Sequence, residues 1–256
     1  MIHRREVVAG GSLALLFGCI CAPCCAAAQL SGKSRGCHLA SEDYEAVRSR
    51  AGETQAVSSG SGPTIWKSGD SNFDFALAHT LSKICVAFQV LPGFAYYEDG
   101  QSLNAYATQN TSLARTDGSV FFGLNFLKQV RTFPESPEVA VATICAHEFG
   151  HIVQYKNNLI PIVNRGQFTV KRSELQADYF AGYFTGLRKR EMPTYPAAVA
   201  AMAQFKVGDN LFSDAGHHGT PEERGGAVVR GFEASFRENK TLSEAINEST
   251  NYVLQL

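Results

Sequence analysis

Residues 147–151 read His-Glu-Phe-Gly-His. Two histidines four positions apart act together only on a helix, where that spacing puts both imidazoles on one face. The chain supplies a start for such a helix at Ser136-Pro137, serine as N-cap and proline at the first helical position, in a run reaching about Lys156. His147 and His151 can then share one metal ion, and zinc is the expected one. Glu148, turned about 100° from His147, leans over the same spot as candidate general base. A second helical pattern over residues 173–190 adds Glu174, the candidate third ligand, and Asp178, four residues later on the same face. Asp178 is placed to accept a hydrogen bond from the outward N–H of a ligand histidine. Without the upstream pair, Glu174 and Asp178 would read as a solvated helix face. Two histidines and one glutamate leave a fourth position for water, the open arrangement a hydrolase needs.

The rest of the chain is compatible with an enzyme of ordinary composition. Its 256 residues are 45% apolar and 18% charged, enough to bury one sizeable core. A net charge of -1, from 23 basic and 24 acidic side chains, gives no electrostatic reason to expect nucleic acid or an anionic membrane as partner. Residues 1–28 differ: Arg4-Arg5, an apolar stretch from Val7 to Phe17 and Ala26-Ala27-Ala28 read as a signal peptide cleaved after Ala28, with no membrane span left after its removal. The product is expected to be exported, periplasmic or extracellular. Arg4-Arg5 also fits the twin-arginine route, and Leu16-Phe17-Gly18-Cys19 offers a lipid anchor at Cys19 as the alternative. Of seven cysteines, Cys37, Cys85 and Cys145 lie beyond the signal. An oxidising compartment permits one bridge, with Cys37–Cys85 favoured because Cys145 sits in a helix expected to be buried, although the pairing stays open.

Residues 41–50 suit a short helix, and residues 52–62 are Gly-, Ser- and Thr-rich, so residues 29–62 read as an N-terminal segment and flexible linker before a domain over 63–256. Phe73, Ala76, Leu77 and Leu81 predict a helix after Asp70. Residues 84–90, 94–97, 104–108 and 119–122 read as strands, separated by Pro92-Gly93, Asp99-Gly100 and Asp117-Gly118 turns. Later helices are expected after Pro196, at Thr220-Pro221-Glu222-Glu223 and at Thr241, the last two opened by capping boxes with Glu223 and Glu244. Strands first and helices afterwards give an α+β fold: a small sheet, an active-site helix and a mostly helical C-terminal part.

His147 to Gln154, together with Glu174-Leu175-Gln176-Ala177-Asp178-Tyr179-Phe180-Ala181-Gly182, resembles the gluzincin metallopeptidases, especially a family of neutral zinc metallopeptidases and the CAAX-protease and heat-shock-protease-like group. Asn104-Ala105-Tyr106-Ala107-Thr108 resembles the strand that forms the cleft edge in that group, and His218 to Arg224 resembles its later His-x-x-x-x-x-Arg segment. The resemblance covers residues 104–230. It implies a zincin-like fold, one zinc ion, and a peptide or protein substrate held by backbone pairing and cut by an endopeptidase rather than an exopeptidase. It also favours His218 over His217 as the candidate for stabilising the oxyanion, the alternative being that both are a solvated loop pair before a helix cap. Tyr155 and Tyr179 are further phenolic donors that fit the core better. The spanning helices of the membrane-embedded relatives have no counterpart in this sequence. A silent zinc-containing peptide-binding scaffold is the competing reading, and the intact Glu148 argues against it.

Overall fold

The computed structural model describes residues 64–100, 103–113 and 115–256. The signal peptide, the 29–62 segment with its short helix, Cys19 and Cys37 lie outside the described residues. Within them the architecture is α+β, one helix leading into a three-stranded sheet and a mostly helical remainder after it.

Helix α1 (Ser71–Phe88) opens at Asp70, whose carboxylate accepts from the Phe73 N–H at 3.1 Å. It runs through most of the stretch read as a strand over residues 84–90. Ile84 and Val86 are β-branched and suggested a strand, but burial follows the helical repeat Leu77, Ile84, Phe88 and leaves Val86 79% exposed. The helix stops at Gln89, which adopts a left-handed φ of 53° and donates its N–H to the carbonyls of Cys85 and Val86.

Strands β1 (Gly93–Tyr97), β2 (Ala105–Thr108) and β3 (Ser119–Gly123) form one sheet in the order β1-β3-β2. The central strand β3 pairs parallel with β1 and antiparallel with β2, with Ala95 opposite Phe121 and Ala107 opposite Val120. The Gly123 N–H bonds the Asn104 carbonyl at 2.9 Å, which sets the phase of the antiparallel ladder. The backbone groups of Tyr106 and Thr108 therefore face β3, while those of Ala105 and Ala107 face the outer edge. Helix α2 (Leu124–Val130) follows β3 directly. Its first amides are satisfied from a distance: Asp99 accepts from the N–H groups of Asn125 and Phe126, both at 2.9 Å.

Helix α3 (Pro137–Lys156) is buried at every residue from Val139 to Gln154, so it carries no polar face and can only be a central helix. Ser136 stands at its N-cap without capping it. Pro137 keeps the preceding residue out of the right-handed helical region, Ser136 takes a φ of 46°, and its side chain makes no cap bond. After the single turn α4 (Ile160–Val163) comes α5 (Lys171–Glu191), which starts two residues before Ser173. Ser173 lies inside the first turn, and its N–H is taken by Asn164 Oδ1 at 3.2 Å. Helices α6 (Ala198–Phe205), α7 (Pro221–Phe236) and α8 (Leu242–Leu254) complete the order, and both capping boxes, Thr220 with Glu223 and Thr241 with Glu244, are formed. Cys85 is half-buried and Cys145 fully buried, and the two are not bridged to each other. No helix among the described residues is long and apolar enough to cross a membrane.

Helices α5 and α7 touch backbone to backbone. A Cβ on Gly182 would lie 1.9 Å from the Val228 carbonyl oxygen, and one on Gly231 would lie 1.8 Å from that of Tyr179. Gly182→Ala must force the helices apart, and because neither contact is a flexible side chain the expected loss is about 3 kcal/mol, measured by denaturant unfolding. Metal affinity should fall with it, since each helix carries part of one site.

Candidate metal centre

The two middle positions of the histidine motif are structural. Phe149 enters the core, and Gly150 lets α5 approach so closely that an added Cβ would meet the Ala177 Cα at 3.1 Å. That approach places Glu174, in the first turn of α5 where the helix dipole favours a carboxylate, against the histidine pair. His147, His151 and Glu174 are buried together and form a group able to hold a metal ion, each offering one donor atom within 4.8 Å of the others. The Nε2 atoms of His147 and His151 are 3.2 Å apart; Glu174 reaches the first at 3.4 Å and the second at 3.5 Å.

The outer hydrogen bonds fix what these atoms are. His147 Nδ1 lies 2.8 Å from Asp178 Oδ1. Burial alone would push the Asp178 carboxyl up, but Arg224 and His147 outweigh it and hold it below its ordinary value, so it accepts and does not donate. His151 Nδ1 lies 2.8 Å from Gln154 Oε1. The orientation of that amide is settled by its other end, where Gln154 Nε2 donates to the Ser173 carbonyl at 2.7 Å. Both Nδ1 atoms therefore carry hydrogen, and both Nε2 atoms present lone pairs toward each other and toward a carboxylate. Glu174 is itself held well below the usual carboxylate range, burial being outweighed by the neighbouring histidines, His151 first among them, so its oxygens accept and do not donate. Three electron-pair donors converging without a donor hydrogen between them suit a cation.

Glu148 stands beside this group on α3 and is buried, with its Oε2 making no hydrogen bond. Burial pushes its carboxyl up to about 8, opposed by His147. His218 lies on the loop between α6 and α7, partly exposed, with its Nδ1 3.3 Å from Asp209 Oδ2. His217 is buried, its ring centroid 5.2 Å from that of Phe212. The two tyrosines are engaged elsewhere: Tyr155 donates to the Ala107 carbonyl at 3.3 Å and Tyr179 to Glu248 at 2.9 Å.

Three supporting residues escaped the sequence reading. Gln154 and Gln176 form a buried amide relay behind His151, with Gln154 Nε2 also 3.1 Å from Gln176 Oε1. Gln154 could have been found three positions after His151, on the same helix. Arg224, noted only as part of a segment, donates through Nε to Asp178 Oδ2 at 2.7 Å and through Nη2 to Oδ1 at 3.0 Å and to Gln204 at 3.0 Å. Arg224→Met leaves a buried Asp178 charge without its main partner, so metal affinity should drop by about 10- to 100-fold in a chelator competition titration. No family model, curated protein or solved structure matches this chain.

Proposed function

We propose that this chain is an exported, zinc-dependent metallopeptidase with a zincin-like fold, and the single observation that carries the reading is the pairing of a two-histidine, one-glutamate donor set with Glu148. The donor set fits zinc because nitrogen and carboxylate oxygen are its usual ligands, and three of them leave one position open. Zinc bound there supplies Lewis-acid chemistry, acidifying water and polarising a carbonyl. Everything else belongs to the chain. With a cation in the adjacent donor group favouring its ionised form, Glu148 would take a proton from water and return it to the leaving amine, a role suited to a carboxyl with one uncommitted oxygen. Asp178 and Gln154 hold the ligand imidazoles in the required tautomer. His218 faces negative charge developing on the substrate oxygen.

The outer edge of β2 supplies the place for an extended peptide. Ala105 and Ala107 turn their backbone groups away from β3, and the Ala107 carbonyl is already held by the Tyr155 hydroxyl, so a substrate added as a further strand would pair through Ala105 and the Ala107 N–H. An internal stretch of peptide suits such an edge better than a chain end, which favours endopeptidase action. A purely structural metal site has no use for a buried base beside its ligands. The test is hydrolysis of a mixed peptide library by the zinc-loaded protein, sampled before and after chelation. Cleavage that stops with chelation and returns with zinc supports the reading; cleavage indifferent to the chelator refutes it.

A further inference from the structure

Asp209, which no motif singled out, is the organiser of the loop that carries both histidines. Its Oδ1 accepts from the Leu211 N–H at 2.8 Å and faces His217 Nδ1 at 2.5 Å. Its Oδ2 accepts from the His218 N–H at 3.0 Å and faces His218 Nδ1 at 3.3 Å. Its own N–H donates to the Gly219 carbonyl at 3.0 Å, closing the loop on itself. At the far end Gly219 takes a φ of 106°, where an added Cβ would reach Leu175 Cδ2 at 3.0 Å, so the loop is pressed onto α5 beside Glu174.

Backbone N–H bonds from Leu211 and His218, with the bond to Gly219, already suffice to close the loop. Holding both imidazoles adds orientation. A carboxylate only accepts, so each ring meets Asp209 with an Nδ1 hydrogen and turns Nε2 away from it. We infer that Asp209 is a positioning residue that fixes the tautomer and rotamer of His218 and so makes Nε2 the atom offered to the substrate oxygen beside Glu174. The inference rests on the peptidase reading of His218. In the protonated ring Nε2 donates its hydrogen toward developing negative charge without giving it up, while the Asp209 carboxylate balances the imidazolium from behind. His217 shares the carboxylate but lies on its buried side against Phe212, its Nε2 making no hydrogen bond, and it steadies the carboxylate from there.

The experiment has a spectroscopic arm and a kinetic arm, both on the full-length, zinc-loaded protein. Long-range proton–nitrogen correlation spectra at about pH 8.5, where histidine is neutral by default, report which ring nitrogen carries hydrogen. In the wild type His218 should show a protonated Nδ1 and a bare Nε2, and in Asp209→Asn that preference should collapse into averaging between tautomers. A wild-type His218 protonated on Nε2 overturns the inference whatever the variants do. In the kinetic arm Asp209→Asn should lower kcat by about 10- to 100-fold with KM changed less than about threefold and zinc content intact. Asp209→Asn combined with His218→Ala should be no slower than His218→Ala alone, because one acts through the other. Losses that multiply in the double variant would mean that Asp209 only holds the loop together, and would overturn the proposal. If Glu148→Gln hydrolyses peptides as fast as the wild type, the peptidase reading fails by itself and the nitrogen spectra still decide the positioning.

Discussion

Glu148→Gln should retain bound metal while kcat for peptide hydrolysis falls by about a thousandfold to ten-thousandfold. The amide reproduces the shape of the carboxyl and cannot accept the proton. Glu148 Oε2 is buried and makes no hydrogen bond, so the substitution breaks none there. The same change should remove a pH dependence from the metal-free protein. Burial raises the folded carboxyl from 4.5 to about 8, so the folded state binds a proton that the unfolded chain releases. The contribution of Glu148 to the stability of the metal-free wild type is therefore fully present below the unfolded value, falls as pH climbs toward 8, and is gone above it. The difference between wild type and Glu148→Gln should amount to a few kcal/mol across that window, on the order of magnitude that such a shift implies. Urea melts of the metal-free pair at several pH values check it, and parallel curves for the two proteins would show that Glu148 is not held neutral by burial.

Chelation should lower the melting temperature by about 10 °C. Two imidazole lone pairs and a buried carboxylate face one another at 3.2 to 3.5 Å, and a cation between them turns repulsion into attraction. Metal present at about a thousand times its Kd contributes about 4 kcal/mol to the folded state, worth roughly 2–4 °C per kcal/mol in a chain of this size. Glu174→Ala should melt at one temperature with or without chelator, because the third ligand is gone. A melting curve of the wild type that chelation leaves in place would mean that metal adds nothing to the fold.

The group of donors that could hold a metal ion was legible in the sequence because helical spacing is local information. His147 and His151 share a face by their separation alone, as do Glu174 and Asp178, and the Ser136-Pro137 start located the helix even though Ser136 does not cap it. Illegible were the contacts that depend on tertiary approach. Arg224 meets Asp178 across 46 positions, and the distance between α5 and α7 that allows it is set by Gly182 and Gly231, whose spacing carries no periodic signal. Residues 84–90 misled because β-branched composition was weighed above the continuing helical repeat of Leu77, Ile84 and Phe88. The strand order β1-β3-β2 was equally hidden, since it places first beside third and no local turn encodes that.

Metal content measures the central proposal most directly, on protein purified without added chelator and compared with Glu174→Ala. One zinc ion per wild-type chain and none in the variant is the predicted result. A wild type free of zinc after zinc-replete expression, or a variant that keeps a full equivalent, would contradict the assignment of His147, His151 and Glu174 as its ligands.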